Sequence, residues 1–283
     1  MRRPTVVTGY GACSGAGPSN EDFARALAEG GGAFSDLPEP LHHLKPGFGG
    51  VATSDRKLLR QLPGTRALRP ATMTRYTYLS TLGIGLAMVD AGVIPEPALD
   101  ESIRRSLFIG SYVNLPEMHK QVGMSYLVRD EEAAADGTYR IDDSKIMEGM
   151  RRFTGFEFLR LMNNMPVGHG AIQLQARGPC NTFMGFCTAG LHAMGAGLHT
   201  VQDDHADLAV CGGAGSAVVE HALMYKAYRG LISTSDDPAT ACQPFGSGAT
   251  GLVPGEGSAY VVLEGRETAL ARGATPIASF RGY

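Results

Sequence analysis

Cys187 is the side chain of this sequence best placed for covalent chemistry. It lies in the segment GPCNTFMGFCTAGLHAMGAG, residues 178–197, at the point where an irregular stretch turns into a helix of small residues. Unpaired backbone N–H groups and the positive end of the helix dipole stabilise a thiolate at such a position. Cys187 is therefore a candidate nucleophile, although a free cysteine is also often a small buried hydrophobic group.

The helix predicted over 187–201 has very little side-chain volume. It carries glycine at 190, 195 and 197 and alanine at 189, 193 and 196. Each glycine costs about 1 kcal/mol relative to alanine inside a helix. Such a helix is tolerable where other backbone segments press closely against it, so we expect close backbone packing here.

The surrounding sequence alternates between predicted strands and predicted helices. Strands are predicted over 5–8, 106–110, 208–211 and 258–263, and helices over 20–28, 77–91, 143–152 and 187–201, with a last helix ending at residue 271. Ser19 followed by Asp22 is typical of a helix start, whereas 28–70 is predicted to be loop and 131–137 an acidic surface piece. The pattern indicates an α/β fold with mostly buried strands and no clear domain boundary.

Composition and charge restrict the function classes. The 283 residues carry 25 basic and 28 acidic side chains, a net charge of −3, so no surface for nucleic acid or an anionic membrane is expected. No apolar run approaches the roughly 18 residues of a membrane span. The five cysteines, at 13, 180, 187, 211 and 242, form no close CxxC pair, which argues against a disulfide framework or a zinc site and for the reducing cytoplasm.

Five further segments of the chain, together with residues 178–197, are similar to the sequence motifs of one protein family. They are TVVTGYGACSGAGPSNEDFARALAEG (5–30), RSLFIGS (105–111), NNMPVGHGAIQLQARGP (163–179), ADLAVCGGA (206–214) and LISTSDDPATACQPFGSGATGLVPGEGSAYVVLE (231–264). These segments resemble the β-ketoacyl synthases, the condensing enzymes of fatty-acid and polyketide synthesis. The resemblance covers essentially the whole chain.

This resemblance implies a thiolase-like architecture. Each half of that fold is a mixed sheet with helices on both faces, and the nucleophile helix lies in a central layer between two halves. Residues 1–283 would form a single N-terminal-type domain, and the C-terminal half, with two histidines and a Gly-rich Phe loop, is expected to be absent. An exposed apolar patch is then expected on the nucleophile helix, formed by Ala189, Leu191, Ala193, Met194 and Leu198.

The resemblance also implies a mechanism. Cys187 matches the family's acyl-accepting nucleophile, which takes an acyl group from an acyl carrier protein before condensation with a malonyl unit and loss of carbon dioxide. Its backbone N–H would form half of an oxyanion hole. The histidines would come from a partner, either a C-terminal-half subunit or a ketosynthase homologue, although a homo-oligomer is an alternative.

No cofactor and no metal are expected. His169, His192 and His199 are interpreted as packed or hydrogen-bonded residues, not as displaced catalytic groups. The run DDHAD, 203–207, is interpreted as a solvated connection before a strand, despite its ligand-type side chains.

Three positions depart from the family pattern. Phe186 stands where a small residue usually precedes the nucleophile, and Gln243 and Gly246 replace the Arg and Asp that normally flank the Pro-Phe pair. Phe186 either blocks or shortens an acyl tunnel or fills core volume. These departures are compatible with an alternative function. In that alternative the chain is a non-catalytic subunit that resembles a chain-length factor and shapes a partner ketosynthase. In the well-matched segment Gly255-Glu256-Gly257, the glycines are interpreted as a tight turn and Glu256 as structural.

A remote alternative is a dinucleotide-binding enzyme. The segment GYGACSGAG follows a predicted strand and precedes a helix, as a nucleotide-binding loop would. Its glycines, at 9, 11, 15 and 17, do not give GxGxxG, and no acidic residue ends an evident second strand about 20 residues later. The spacing therefore disfavours this function.

Overall fold

The fold is that of a computed structural model in which residues 3–30, 33–39, 41–53, 55–94, 103–111, 118–152 and 155–283 are described. The strands are β1 (Thr5–Ser14), β2 (Ser35–Asp36), β3 (Phe48–Gly49), β4 (Arg105–Ser111), β5 (Cys180–Met184), β6 (Leu208–Ser216), β7 (Glu256–Gly265) and β8 (Ala278–Ser279). The α-helices are α1 (Asn20–Glu29), α2 (Arg56–Gln61), α3 (Arg75–Asp90), α4 (Met118–Leu127), α5 (Glu131–Ala135), α6 (Ile146–Arg152), α7 (Gly155–Leu161), α8 (Met165–Leu174), α9 (Ala189–Gln202), α10 (Glu220–Tyr228), α11 (Pro238–Ala241) and α12 (Arg266–Ala271). Within these ranges no helix has the length and apolar character needed to cross a lipid bilayer.

The main sheet is mixed, with strand order β5-β4-β6-β7-β1-β8. Strand β4 runs parallel to both β5 and β6. Strand β7 runs antiparallel to β6 and β1, and β8 pairs antiparallel with β1. The three parallel strands therefore end at the same edge of the sheet, and β5 is its outer strand there.

Side chains of β4 alternate between two apolar layers, as the two-residue period of a strand requires. Leu107 and Ile109 pack with buried residues of α3 and α8, whereas Phe108 packs with buried residues of α9. The sheet thus has helices on both faces, which confirms the predicted architecture of the half.

Most predicted helices are confirmed, with shifts at their ends. Helix α1 begins after Ser19, whose hydroxyl accepts a hydrogen bond from the backbone N–H of Asp22 at 3.1 Å. Helix α3 begins after Thr74, two residues earlier than predicted, because the Thr74 side chain caps the backbone N–H of Thr77. The helix predicted over 143–152 is a 3₁₀ turn followed by α6, and the acidic piece at 131–137 contains α5.

The strand predicted over 5–8 is longer in the structure, because β1 continues through Gly9 and Gly11 to Ser14. A side chain at Gly9 would meet the Cα of Ala91 at 2.7 Å, and one at Gly11 would meet the Cβ of Leu86 at 2.9 Å. These glycines allow close contact between β1 and α3. A strand and a packed helix occupy the place that a nucleotide-binding loop would need.

The sequence did not predict helices α2, α8 and α10. Pro166 stands in the first turn of α8, and Gly168 and Gly170 lower its intrinsic helix propensity. Gly170 nevertheless suits tertiary packing, since a Cβ there would meet side chains of Ile84 and Leu107 at 2.7 Å. Strand β5 has mostly exposed residues, so its apolar pattern is weak.

Three glycines join the start of α9 to the sheet. A Cβ on Gly110 in β4 would lie 2.6 Å from the carbonyl oxygen of Ala189 and closer still to the backbone nitrogen of Gly190. A Cβ on Gly213 in β6 would lie 3.0 Å from the carbonyl oxygen of Gly110 and 3.5 Å from the Cα of Gly190. The close backbone packing predicted for this helix is confirmed.

The exposed apolar patch predicted on this helix is wrong for Ala189, Ala193 and Leu198. All three are buried, and Ala193 and Leu198 pack in the layer between α9 and the sheet. Met194 is partly buried against the same layer. Leu191 does remain exposed, because it lies on the helix face turned away from β4 and β6.

Gly110→Ala is expected to destabilise the protein by about 1–3 kcal/mol, since the added methyl group must displace backbone atoms of α9 rather than a flexible side chain. Gly215→Ala in β6 is the matched control, because no atom lies within 4 Å of a Cβ at that strand position. Denaturant unfolding of the two variants measures the difference. Equal stability of both variants would contradict this account of the junction.

Candidate active site

Cys187 is exposed and lies between the end of β5 and the start of α9. It is the middle residue of a 3₁₀ turn, Phe186–Thr188, and directly precedes Thr188, the N-cap of α9. The Thr188 N–H donates to the carbonyl of Gly185 at 3.1 Å, and the Ala189 N–H donates to the carbonyl of Phe186. The nucleophile candidate thus stands just before the α-helix, not in its first turn, and still at the positive end of the helix dipole.

The carboxyl ends of β4 and β5 flank this turn. In open α/β sheets the crevice outside such strand ends is the usual place for a ligand. Tyr76 of α3 contacts the end of β4, where its hydroxyl donates a hydrogen bond to the carbonyl of Gly110 at 3.4 Å. Burial raises the pKa of Tyr76 to about 12, so this phenol stays neutral at physiological pH.

Phe186 does not fill core volume. Its side chain is 74% exposed and its backbone is left-handed, with φ of 48°. A bulky residue rarely adopts that conformation, which costs on the order of 1–3 kcal/mol and often occurs at functional sites. The core interpretation is therefore wrong, and the tunnel interpretation stays a prediction.

Lys226 is a residue near the candidate nucleophile that sequence reasoning missed. It is half-buried on α10, and burial lowers its pKa, while a negative charge on Cys187 acts in the opposite direction. Ala222 and Leu223, four and three residues earlier, are buried, so Lys226 lies on the inward face of the helix. That spacing was the available sequence signal.

The other cysteines differ from Cys187. Cys13 and Cys211 are buried, and burial raises the pKa of Cys13 to about 11 and that of Cys211 still further. Cys180 and Cys242 are exposed, but Cys180 lies at the first residue of β5 and Cys242 follows the four-residue helix α11. Cys187 alone among the five combines exposure with the start of a long helix.

Two of the three histidines that were predicted to be packed or hydrogen-bonded, His169 and His192, form a hydrogen bond in the structure. His169 is buried, with Nε2 3.0 Å from the hydroxyl of Thr72, and burial lowers its pKa. His192 is exposed on α9, forms a hydrogen bond through Nδ1 with the hydroxyl of Tyr283, and contacts that ring edge-on. His199 is exposed near the end of α9.

Two aspartates of the acidic run at 203–207, Asp204 and Asp207, form ion pairs with arginines. Arg104 pairs with Asp207 at 2.9 Å and with Asp204 at 2.7 Å, and Arg3 also pairs with Asp204. Hydrogen bonds from Arg104 hold the pKa of the Asp207 carboxyl below its usual value. In the described part of the chain, His, Cys, Asp and Glu side chains form no cluster of three or more suited to a metal ion.

Glu256 is structural, as predicted, but its glycine neighbours do not form a tight turn. Its buried carboxylate pairs with Arg75 and accepts hydrogen bonds from the Ala52 N–H at 3.1 Å and the Ser216 hydroxyl at 2.7 Å. Gly257 lies inside β7, where a Cβ would meet the carbonyl oxygen of Cys13 at 2.6 Å. The glycine thus allows close strand pairing.

The Pro-Phe pair lies on the surface. Phe245 is fully exposed and left-handed, with φ of 62°. The N–H of Gly246 donates to the carbonyl of Gln243 at 3.0 Å, which closes a turn around the pair. The two residues that depart from the family pattern therefore bond to each other across this turn.

Comparison with known proteins identifies relatives for this sequence and fold. The profile of the β-ketoacyl synthase N-terminal domain matches residues 2–269. A 3-oxoacyl-[acyl-carrier-protein] synthase 2 of Synechocystis is 30% identical over 287 residues, which cover 100% of this chain and 62% of that protein.

Solved structures share the fold. The ishigamide ketosynthase/chain length factor matches with a TM-score of 0.75 and 22% identity, covering 100% of this chain and 63% of that chain. AntDE:AntF, described as a type II polyketide synthase acyl-carrier protein in complex with its ketosynthase, matches with a TM-score of 0.69 and 17% identity, covering 99% and 62%.

This chain spans less than two thirds of the length of these relatives. The thiolase-like fold is nevertheless shared over 99–100% of this chain. Because the family profile matches nearly every residue, the chain belongs to the β-ketoacyl synthase family.

Proposed function

We propose that this chain is a subunit of a ketosynthase-type condensing complex and that Cys187 accepts the acyl group. The observation that carries the proposal is the position of an exposed thiol directly before the N-cap of α9. Helix N-terminal N–H groups stabilise negative charge both on a thiolate and on a developing oxyanion. The three-glycine junction supports the proposal because it fixes that helix end against the sheet.

The proposed step is acyl transfer from a carrier-protein thioester. The Cys187 thiolate attacks the carbonyl carbon, a new C–S bond forms, and the C–S bond to the carrier breaks. The carrier thiol leaves as a thiolate and takes up a proton, so that the product is an acyl-cysteine. Condensation with a malonyl unit and loss of carbon dioxide would follow, with histidines supplied by a partner.

Large apolar side chains around Cys187 support the need for that partner. Met184 is 55% exposed, Phe186 74% and Leu191 59%. Clustered apolar exposure of this kind is typical of an interaction surface. We infer that residues 1–283 form one N-terminal-type domain, in the cytoplasm. Its Cys187 side would be covered by a C-terminal-half domain or by a ketosynthase homologue.

A non-catalytic subunit resembling a chain-length factor is the second candidate. Phe186, the residue directly before the thiol, favours it, because a large ring there restricts access by an acyl chain. The turn around Phe245, with Gln243 and Gly246 in place of the family's charged residues, favours it as well. In that case the chain would shape the pocket of a partner ketosynthase that holds the acyl group.

Incubation with acyl-loaded carrier protein, in the presence of the co-purifying partner, distinguishes these functions. Intact-mass spectrometry is expected to show one acyl adduct on this chain, absent from Cys187→Ala and retained by Cys242→Ala. The control removes another exposed thiol. Acylation confined to the partner would overturn the catalytic proposal and favour the shaping role.

Phe186→Ala is expected to increase acylation by long-chain acyl carriers relative to short-chain ones, because removal of the ring opens space beside Cys187. Phe245→Ala is the matched control, since Phe245 is also an exposed phenylalanine in the left-handed conformation. Adduct masses from an equimolar mixture of acyl lengths give the preference of each variant. An unchanged preference in Phe186→Ala would remove the tunnel role.

A further inference from the structure

The imidazole ring of His192 lies against the turn that carries Cys187. A Cβ on Gly185, the residue that joins β5 to this turn, would lie 3.4 Å from Cδ2 of His192 and 3.3 Å from the hydroxyl oxygen of Thr188. The Thr188 hydroxyl donates a hydrogen bond to the carbonyl of Gly185 at 2.8 Å. A side chain of α9 therefore contacts the residue at which the turn begins.

Tyr283 contacts the other side of the same imidazole ring. Its hydroxyl forms a hydrogen bond with Nδ1 of His192, and the two rings meet edge-on with their centroids 5.7 Å apart. The Tyr283 ring also packs on the backbone of α9, since a Cβ on Gly195 would meet its Cγ at 2.5 Å. Because Nδ1 and Cδ2 are the two ring atoms bonded to Cγ of histidine, His192 links the Cys187 turn to Tyr283.

The segment that leads to Tyr283 is fixed to the main sheet. Strand β8 pairs with β1, and the N–H of Phe280 donates to the carbonyl of Thr5 at 3.0 Å. The Phe280 side chain is partly buried in the apolar layer between α9 and the sheet. Since β8 and β5 are the opposite edges of the six-stranded sheet, His192 receives its support from the edge remote from Cys187.

We propose that His192 is a positioning residue that holds the turn of Cys187 against the start of α9 and is itself held by Tyr283. The proposal rests on the proposed acyl-accepting role of Cys187 and adds a side-chain contact to the backbone packing at Gly110. A side chain whose rotamer is fixed by packing and by a hydrogen bond keeps a site in one geometry. His192 exchanges no proton with Cys187 in this role.

Asparagine at position 192 tests this role most sharply. Its amide oxygen and nitrogen occupy the two positions bonded to Cγ, as Nδ1 and Cδ2 do in histidine, and they can accept or donate a hydrogen bond. His192→Asn thus keeps both contacts but removes Nε2, His192→Ala removes both contacts, and Tyr283→Phe removes only the hydrogen bond. The matched controls are His199→Ala, on the same helix, and Tyr139→Phe, because both side chains are also exposed.

The first measurement is the rate of Cys187 alkylation by iodoacetamide relative to Cys242, another exposed thiol of the same chain, at pH about 8, where histidines are neutral. The helix dipole changes an ionisation constant about two- to fivefold, and the greater nucleophilicity of a more basic thiolate recovers part of a loss. His192→Ala and Tyr283→Phe are therefore expected to lower the ratio about twofold. His192→Asn and both controls are expected to keep the wild-type ratio.

Hydrogen exchange of the turn gives a second measurement. The N–H of Thr188 donates to the carbonyl of Gly185 at 3.1 Å, so its exchange rate reports opening of the turn. Loss of one hydrogen bond changes an equilibrium about two- to tenfold, and exchange at Thr188 is expected to rise by that factor in His192→Ala and in Tyr283→Phe. His192→Asn is expected to exchange at the wild-type rate.

An unchanged alkylation ratio in folded His192→Ala would overturn the positioning role. A ratio as low in folded His192→Asn as in His192→Ala would overturn it too, because the effect would then belong to Nε2. If neither variant folds, Tyr283→Phe decides, since it removes a single exposed hydroxyl, and wild-type values there would refute the role of Tyr283. Neither measurement requires acyl transfer, so failure of this proposal is distinct from failure of Cys187 to accept an acyl group.

Discussion

The contact between the backbones of β4, β6 and α9 is the constraint on which the candidate site depends. Gly110, Gly190 and Gly213 meet there, at distances that leave no room for a side chain on Gly110. The start of α9 is therefore held at the carboxyl edge of the parallel strands. Cys187, directly before that helix, takes its position from backbone packing and not from a hydrogen bond of its own side chain.

Two buried carboxylates hold the sheet that supports this contact. Glu256 joins the start of α3, through Arg75, to the end of β6, through Ser216. Glu264 accepts hydrogen bonds from Thr8 and Arg272, and Arg272 also donates to the carbonyl of Ala91 at the end of α3 at 2.8 Å. Loss of one partner of such a buried pair is typically more costly than loss of a surface pair. Glu256 thereby also fixes the end of β6.

Local sequence patterns predicted the parts of the fold that local chemistry decides. The cap at Ser19, the apolar helix α3 and the small-residue helix after Cys187 all follow from residue type and spacing. The length of β1 could not be predicted in this way, because Gly9 and Gly11 are acceptable in a strand only where α3 packs against them. Helix α8 likewise depends on tertiary contacts at Gly170.

Backbone packing at Gly110 is expected to set the reactivity of Cys187. The most direct test is the ratio of Cys187 to Cys242 alkylation rates in Gly110→Ala and Gly215→Ala, measured at low temperature on protein shown to be folded. A reduced ratio is expected in Gly110→Ala, because the displaced helix end no longer faces the thiol, and a wild-type ratio is expected in Gly215→Ala. A wild-type ratio in folded Gly110→Ala would contradict it.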